Sequence, residues 1–238
     1  MLPGEGAARA AARRLRARMP SAFAAIDVAI PRRTPPWGGP MNGQHGRREI
    51  VRTLVALRPP TAIIETGTYL GITTEYFAYL TGVDVWTCES QSVYFGAARR
   101  RFRDNPLIHP VLADSPDFLT QLATNTAVPK TDVFFYLDAH WDASLPLRDE
   151  LRIIGEFWEN PWILIDDFQV PGDAGYGYDD YGPGAALVLD YLEPAEGWTV
   201  LVPTLPSADE TGARRGSVLL VRPGDSDAVL SSGLLRRV

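Results

Sequence analysis

From residue 48 onward, short apolar segments alternate with segments of helical composition, and this alternation constrains the fold more than any other feature. Seven apolar segments predict strands: Thr61–Glu65, Val83–Cys88, Leu107–Leu112, Asp132–Leu137, Trp162–Ile165, Trp198–Val202 and Ser217–Val221. Helices are predicted at Glu49–Leu57, Gly71–Leu80, Ser92–Phe102, from Ser115 onward, and at Leu147–Trp158 and Gly184–Leu192. Apolar strands separated by helices indicate a sheet that is buried on both faces. The sequence therefore predicts an α/β fold, with a doubly wound, mostly parallel seven-stranded sheet and helices on both faces.

The composition excludes several other classes of protein. A chain of 238 residues, of which 45% are apolar, suits one ordinary α/β domain and not a disordered polymer. Its one cysteine, Cys88, excludes an internal disulfide framework and any site that needs several cysteines. No apolar run is long enough for a membrane span, and no apolar core follows the N-terminal arginines as it would in a secretory signal. We therefore expect a cytoplasmic protein.

The net charge of −6 conceals a strong asymmetry along the chain. The first 60 residues hold 11 of the 23 basic residues and only three acids, whereas residues 61–238 hold 12 basic and 26 acidic residues. Residues 1–47 are interpreted as a basic, helical N-terminal extension and connector, ahead of a domain at 48–238. The extension could bind an anionic partner or membrane surface, although a solvated helix is the more ordinary explanation. It could also pack against the acidic body, cover the active site or contact a partner subunit. The acidic body makes nucleic acid a poor partner.

Residues that suit an adenosine-containing ligand stand at the ends of the first three predicted strands, where ligands of such sheets bind. The first strand runs into Glu65-Thr66-Gly67-Thr68-Tyr69-Leu70-Gly71, whose glycines allow a tight turn close to a ligand. Glu89 ends the second strand, where an acid can accept hydrogen bonds from ribose hydroxyls. Asp114 and Ser115 follow the third strand and could contact the adenine. Each residue is also explained as an ordinary turn or helix start, but together they predict an adenosine pocket.

Acidic side chains and a histidine follow the fourth and fifth predicted strands. Asp138 and His140 are two residues apart on an extended chain, so both should face one crevice. Asp166 and Asp167 end the apolar fifth strand, where two adjacent carboxylates need a compensating cation. Carboxylates and water suit a hard ion such as Mg²⁺. The alternative is that an arginine or lysine, for example Arg148, neutralises the acids.

These motifs resemble those of class I S-adenosylmethionine-dependent methyltransferases, with a Rossmann-like fold. The glycine motif from Glu65 to Gly71, Glu89 and Asp114-Ser115 carry this resemblance. Asp138 with Asp166-Asp167 resembles the metal site of metal-dependent O-methyltransferases, and the macrocin O-methyltransferase-like enzymes, which act on sugar hydroxyls of natural products, are the most similar group. The resemblance covers roughly residues 42–222.

The resemblance implies a role for each of these residues. Glu65, Gly67, Thr68, Tyr69 and Gly71 would hold the methionine part of S-adenosylmethionine. The ribose would bind Glu89, and the adenine side would contact Asp114 and Ser115. The metal ligands would be Asp138, Asp166 and Asp167. In macrocin-type enzymes a carboxylate two residues after the first metal ligand is the proposed base, whereas this chain has His140 there, so a neutral imidazole would take the proton.

The expected reaction is Mg²⁺-dependent transfer of a methyl group to a hydroxyl of a small molecule, such as a sugar or another natural product. The glycine-rich segment after Asp167 is interpreted as a substrate lid that carries Tyr176, Tyr178 and Tyr181, or alternatively as a crossover whose tyrosines cover the sheet. The connector at 42–45 could cap the cofactor. An NAD-linked oxidoreductase and a non-catalytic adenosine-binding module are the competing functions, and a homodimer is plausible.

Overall fold

The computed structural model describes residues 38–140, 145–192 and 197–238, and its centre is one eight-stranded sheet. The strands are β1 Ala62–Thr66, β2 Val85–Glu89, β3 Ile108–Leu112, β4 Val133–Leu137, β5 Trp162–Asp166, β6 Thr199–Pro203, β7 Ser217–Val221 and β8 Leu235–Arg237. Their order across the sheet is β3-β2-β1-β4-β5-β7-β6-β8. The first five strands are parallel, and β7 runs antiparallel to both β5 and β6. Of the predicted N-terminal extension and connector, residues 1–37 lie outside the described residues.

Helices cover both faces of the sheet because successive strand residues point to opposite sides. Ile63 and Phe134 pack into one hydrophobic cluster, whereas their neighbours Ile64 and Phe135 pack into the other. The first cluster includes residues from α1 His45–Leu57, α2 Ile72–Thr81, α3 Ser92–Phe102 and α6 Ser226–Leu230. The second includes residues from α4 Ser115–Thr124 and α5 Leu147–Phe157. None of the helices in the described ranges is long and apolar enough to cross a membrane.

The structure confirms the predicted fold class and corrects three details. The sheet has an eighth strand, β8, which the sequence does not reveal because two of its three residues are exposed arginines. The predicted helix Gly184–Leu192 is wrong, since only the 3₁₀ turn Leu189–Leu192 forms and Gly184 has a positive φ of 72°. The first helix begins at His45 instead of the predicted Glu49, while the division of the chain after residue 47 stays a prediction.

The sheet topology creates a crevice where β1 and β4 lie side by side. The chain leaves β1 for β2 on one side and returns to β4 on the other, so the connections diverge at the carboxyl ends of these two strands. The backbone N–H of Asp138 donates to the carbonyl of Thr66 at 3.0 Å, which joins the two strand ends. The residues singled out from the sequence therefore meet at this edge of the sheet.

Candidate active site

The turn after β1 needs its two glycines for contacts inside the protein. Gly67 has a φ of 87°, and a Cβ there would lie 2.2 Å from the carbonyl oxygen of Asp138. Gly71 has a φ of 75°, and its Cβ would lie 2.1 Å from the ring of Phe102. A side chain at either position would therefore meet both backbone strain and a clash. From the sequence, Gly67 was predicted to let a ligand come close to the backbone. The structure shows that the residue after β4 also packs closely against Gly67.

Glu89, at the end of β2, holds the turn and keeps hydrogen-bonding capacity. Its Oε2 accepts from the backbone N–H of Tyr69 at 2.8 Å, and its Oε1 accepts from that of Gln91 at 2.7 Å. Burial raises the pKa of Glu89, and these backbone donors oppose the rise. A carboxylate has about four acceptor sites. Glu89 therefore fixes Tyr69 and can still accept from a ligand.

Glu65 and Thr68 form a buried polar cluster beneath the same turn. One oxygen of Glu65 accepts from Thr74 at 2.5 Å and from Thr87 at 2.7 Å, and the hydroxyls of Thr68 and Thr87 are 2.6 Å apart. Burial raises the pKa of Glu65 to about 7, although the two threonine hydrogen bonds lower it. These side chains position the turn from inside, and the structure gives Thr68 a protein partner.

Asp114 and Ser115 open α4 in different environments. Asp114 is exposed, and its Oδ1 accepts from the backbone N–H of Asp117 at 3.0 Å, as an N-cap does. Ser115 is buried beside Glu150 of α5, whose carboxyl also lies beside Thr66. These two hydroxyls lower the pKa of Glu150, yet none of the three side chains completes a hydrogen bond of ordinary geometry within the described residues. The predicted contact of Ser115 with the adenine would therefore have to come from its backbone.

Asp166 is fully buried at the end of β5, and donors surround it. Its Oδ1 accepts from Arg47 and from the backbone N–H of Asp167 at 2.6 Å. Its Oδ2 accepts from the hydroxyl of Tyr136 and, at 3.4 Å, from the amide of Asn42. Burial raises the pKa of Asp166, whereas the charge of Arg47 lowers it and favours the carboxylate. Asp166 therefore belongs to a buried ion pair.

Arg47 is anchored on both sides. Its second terminal nitrogen donates to the backbone carbonyls of Arg215 and, at 3.0 Å, of Gly216. Burial alone would lower the pKa of Arg47, but Asp166, Tyr136 and Asp167 raise it above its ordinary value. The guanidinium therefore stays charged and links α1, β5 and the entry to β7.

Arg215 neutralises Asp167. Its Nε donates to Asp167 at 2.7 Å, and one terminal nitrogen donates to Asp179 at 2.5 Å. Burial lowers the pKa of Arg215, but the bond to Asp167 and the charges of Asp167 and Asp179 raise it above its ordinary value. The arginine suggested by the sequence, Arg148, is elsewhere: it donates to the carbonyl of Tyr191 and stacks on that ring. Arginines therefore compensate both Asp166 and Asp167, but neither of them is the expected Arg148.

Asp138 and His140 follow β4 and differ in their surroundings. Asp138 is half-buried as a residue, and its carboxyl makes no hydrogen bond or ion pair with any residue that the structure describes. Burial raises its pKa well above the ordinary value, and so do Asp166 and Asp167. Both ring nitrogens of His140 are buried without a partner in the described ranges, and burial lowers its pKa to about 4. The carboxyl of Asp138 therefore keeps its acceptor sites unused by the described residues, whereas the ring of His140 is enclosed by the protein.

The three aspartates do not have the donor set that Mg²⁺ needs. The four donors on Asp166 occupy about all of its acceptor sites, and one oxygen of Asp167 holds Arg215. No group of three or more metal-ligating side chains with suitable geometry occurs among residues 38–140, 145–192 and 197–238. The predicted metal set of Asp138, Asp166 and Asp167 therefore does not fit the ion in this arrangement.

The three tyrosines of the proposed lid occupy different positions. Tyr176 is buried, and its hydroxyl donates to the carbonyl of Leu205 at 3.0 Å, so this ring covers the sheet as the alternative interpretation expected. Tyr178 is half-buried. Tyr181 donates to Asp179 at 2.7 Å and lies 3.5 Å from the carbonyl oxygen of His140, which brings it to the site. The lid role of Tyr178 and Tyr181 stays a prediction.

The connector at 42–45 does reach the strand ends. Asn42 contacts Asp166, and the backbone N–H of Met41 donates to the hydroxyl of Thr73 in α2 at 3.1 Å. The side-chain amide of Gln44 both donates to and accepts from the backbone of Arg215. A cofactor cap at this place stays a prediction, but the segment borders the crevice as that prediction requires.

Comparisons with known proteins show the fold. No family model and no curated protein matches the sequence. An O-methyltransferase from Bacillus cereus in complex with SAH matches with a TM-score of 0.53 and 15% identity, over 74% of this chain and 80% of that chain. A cofactor-bound protein from MTB matches with a TM-score of 0.53 and 16% identity, over 87% and 89%. A structure from a study of the conversion of a disulfide bond into a thioacetal group during echinomycin biosynthesis matches with a TM-score of 0.52 and 19% identity, over 84% and 91%.

The chain has the fold of class I methyltransferases. The mostly parallel sheet with helices on both faces is the architecture that the resemblance implied, and the antiparallel β7 between β5 and β6 is a detail that the structure adds. A closer likeness to the macrocin-type enzymes stays a prediction.

Within this methyltransferase fold, sequence reasoning missed four residues that shape the site: Arg47, Tyr136, Glu150 and Arg215. Two of them did carry a signal. Arg47 lies on the apolar face of α1, since Ile50, Val51 and Leu54 follow it at helical spacing. A buried arginine at such a position requires an acid partner. Glu150 is likewise an acid on the buried face of α5. No local pattern marks Arg215 or the tyrosine within the apolar β4.

Proposed function

We propose that this protein is an S-adenosylmethionine-dependent O-methyltransferase that acts on a hydroxyl of a small molecule. The observation that carries the proposal is Glu89, whose carboxylate stands at the end of β2 beside the glycine turn and still has an acceptor site besides those that its backbone donors use. An acid at this place in such a sheet accepts from the hydroxyls of a ribose. The fold, shared with an O-methyltransferase in complex with SAH, supports the same conclusion.

The crevice suits S-adenosylmethionine, which when bound supplies an electrophilic methyl group on its sulfonium. Gly67 and Gly71 give the turn its positive φ angles, and Glu89 holds the backbone of Tyr69 in the left-handed conformation. Because the protein itself fixes this geometry, the turn is ready for the cofactor before it binds. Mg²⁺, which the sequence suggested, is left out of the proposal because Asp166 has no acceptor site to offer it.

We assign proton removal from the substrate hydroxyl to Asp138 instead of His140. Asp138 is a half-buried residue whose carboxyl has no partner among the described residues, so its acceptor sites are not used by the protein there. A base must lie within hydrogen-bond reach of the proton that it removes. The enclosed ring nitrogens of His140 support this choice.

Isothermal titration calorimetry with S-adenosylhomocysteine tests the cofactor assignment. Glu89→Gln should weaken binding about 10-fold or more, because a charge-assisted hydrogen bond contributes roughly 1.5–3 kcal/mol. Glu156→Gln, an exposed change on α5, is the matched control and should bind like the unchanged protein. If the unchanged protein shows no heat of binding, the proposed function is wrong.

Methyl transfer to a panel of sugar and phenol hydroxyls, followed by mass spectrometry, tests the base. Asp138→Asn should lower kcat about 10²- to 10⁴-fold while leaving S-adenosylhomocysteine affinity unchanged. His140→Gln should have the smaller effect on kcat, and the reverse order would return the base to His140. A natural-product substrate, a cytoplasmic location and a homodimer stay predictions from the sequence.

A further inference from the structure

The cationic side chains at the strand ends belong to segments distant in the sequence, and both converge on the aspartates. Arg47 comes from the start of α1, and Arg215 from the entry to β7. Arg47 is 2% exposed and Asp166 is wholly buried, so this pair is shielded from water. A single buried charge is very unfavourable, and a partner of opposite sign removes most of that penalty.

We infer that Arg47 and Arg215 take the place of a divalent metal ion at the strand-end aspartates, and that this site binds no Mg²⁺. The inference follows from the donors around Asp166. A ligand oxygen gives a lone pair to a metal, and the sites of Asp166 are taken by Arg47, Tyr136, Asn42 and the backbone of Asp167.

Rotation of Arg47 away from Asp166 would not open the site at low cost. The same guanidinium donates to the carbonyls of Arg215 and Gly216, and each carbonyl would then keep only its second donor, the side-chain amide of Gln44 or the backbone N–H of Phe168. The backbone of Gly216 also packs tightly against the segment after β5, because a Cβ at Gly216 would lie 2.1 Å from the carbonyl oxygen of Phe168. The arginine is therefore held by the backbone as well as by the acid.

A consequence for catalysis rests on the proposed function. Without a metal ion to lower the pKa of the substrate hydroxyl, its activation depends on a carboxylate that accepts the proton. In that step the O–H proton passes to Asp138, the hydroxyl oxygen bonds to the methyl carbon, and the C–S bond electrons return to sulfur, which becomes a neutral thioether. The charges balance, and no further reactant is needed.

Electron paramagnetic resonance of Mn²⁺ tests the inference on the full chain, because bound Mn²⁺ loses the sharp signal of the free ion. After removal of metals with EDTA, the unchanged protein and Asp166→Asn should leave the same free Mn²⁺ signal. A stoichiometric loss of signal with the unchanged protein that Asp166→Asn abolishes would overturn the inference. If Asp166→Asn does not fold, the less buried Asp167→Asn serves for the same comparison.

Thermal unfolding tests the structural role of the arginine. Arg47→Met, which keeps an unbranched side chain but removes the guanidinium, should lower the unfolding midpoint clearly, whereas Arg52→Met on the exposed face of α1 should not. Equal midpoints for the two variants would contradict the inference. Calorimetry with S-adenosylhomocysteine tests the proposed function independently, and failure to bind would refute that function alone. The Mn²⁺ measurement would still decide whether arginines or a metal ion compensate the aspartates.

Discussion

Replacement of Glu150 by glutamine should make the protein more stable at high pH and have little effect at low pH. Glu150 is completely buried on α5, and burial raises its pKa from 4.5 to about 7. Its oxygens have no hydrogen-bond partner of ordinary geometry in the described parts of the chain. Ionisation of this carboxyl therefore opposes folding, and the neutral amide of glutamine removes that opposition.

The size of the effect follows from the shift in pKa. One pKa unit corresponds to about 1.4 kcal/mol, so the rise from 4.5 to about 7 corresponds to about 3 kcal/mol. The folded protein binds this proton more tightly than the unfolded chain does. The stability that the protonated Glu150 carboxyl contributes is therefore fully present below about pH 4.5 and is lost as the pH rises through about 7. The difference between Glu150→Gln and the unchanged protein should grow by most of this amount between pH 5 and pH 8.

Urea unfolding followed by circular dichroism at pH 5, 6.5 and 8 measures this difference. Glu156→Gln is the matched control, because Glu156 lies on the same helix, is exposed and faces Arg152. We expect no pH-dependent gain from the control. A gain for Glu150→Gln that is equal at all three pH values would show that the carboxyl is already ionised at pH 5, and the reasoning about its burial would be wrong.

Two further substitutions test how the site is built. Tyr136→Phe removes a donor to Asp166 and should lower the free energy of unfolding by about 1–3 kcal/mol, whereas Tyr79→Phe, at a residue 90% exposed, should not change it; equal urea midpoints would refute the hydrogen bond. Gly71→Ala adds a Cβ against a ring and should destabilise the protein by about 1–3 kcal/mol more than Gly82→Ala, where φ is also positive but no atom lies within 4 Å; equal losses would mean that the ring moves aside.

The fold was predictable because each of the five parallel strands is a short apolar run, and a helix follows each of the first four along the chain. The candidate site residues follow these five strands and lie along one edge of the sheet, since parallel strands place their carboxyl ends at the same edge. The elements that were missed or predicted wrongly are those without a clear local sequence pattern. β8 is three residues long, and the chain at 184–188 has glycine-permitted turns instead of a continuous apolar face.

The positions of the predicted site residues were easier to foresee than their partners. Asp166 and Asp167 were expected together, but the sequence could not show which cation would reach them, because Arg47 and Arg215 are 119 and 48 residues away from their partners along the chain. A pair of carboxylates requires a positive charge, and from the sequence alone a metal ion and an arginine satisfy that requirement equally well. Only the three-dimensional packing of α1 against β5 distinguishes the two.

The charge asymmetry of the chain leads to a last prediction, about where the folded unit begins. Arg47 belongs to the basic first 60 residues and Asp166 to the acidic remainder, so part of the asymmetry is an ion pair across the site. A chain that starts at residue 48 would leave Asp166 buried without its cation and would also lose Gln44. Loss of one partner from a buried pair costs about 3–5 kcal/mol, a large part of the stability of an ordinary domain. We expect such a chain to lack a cooperative urea transition in near-ultraviolet circular dichroism. A transition at the midpoint of the full chain would show that the arginine is dispensable and would weaken the case for it as the cation of the site.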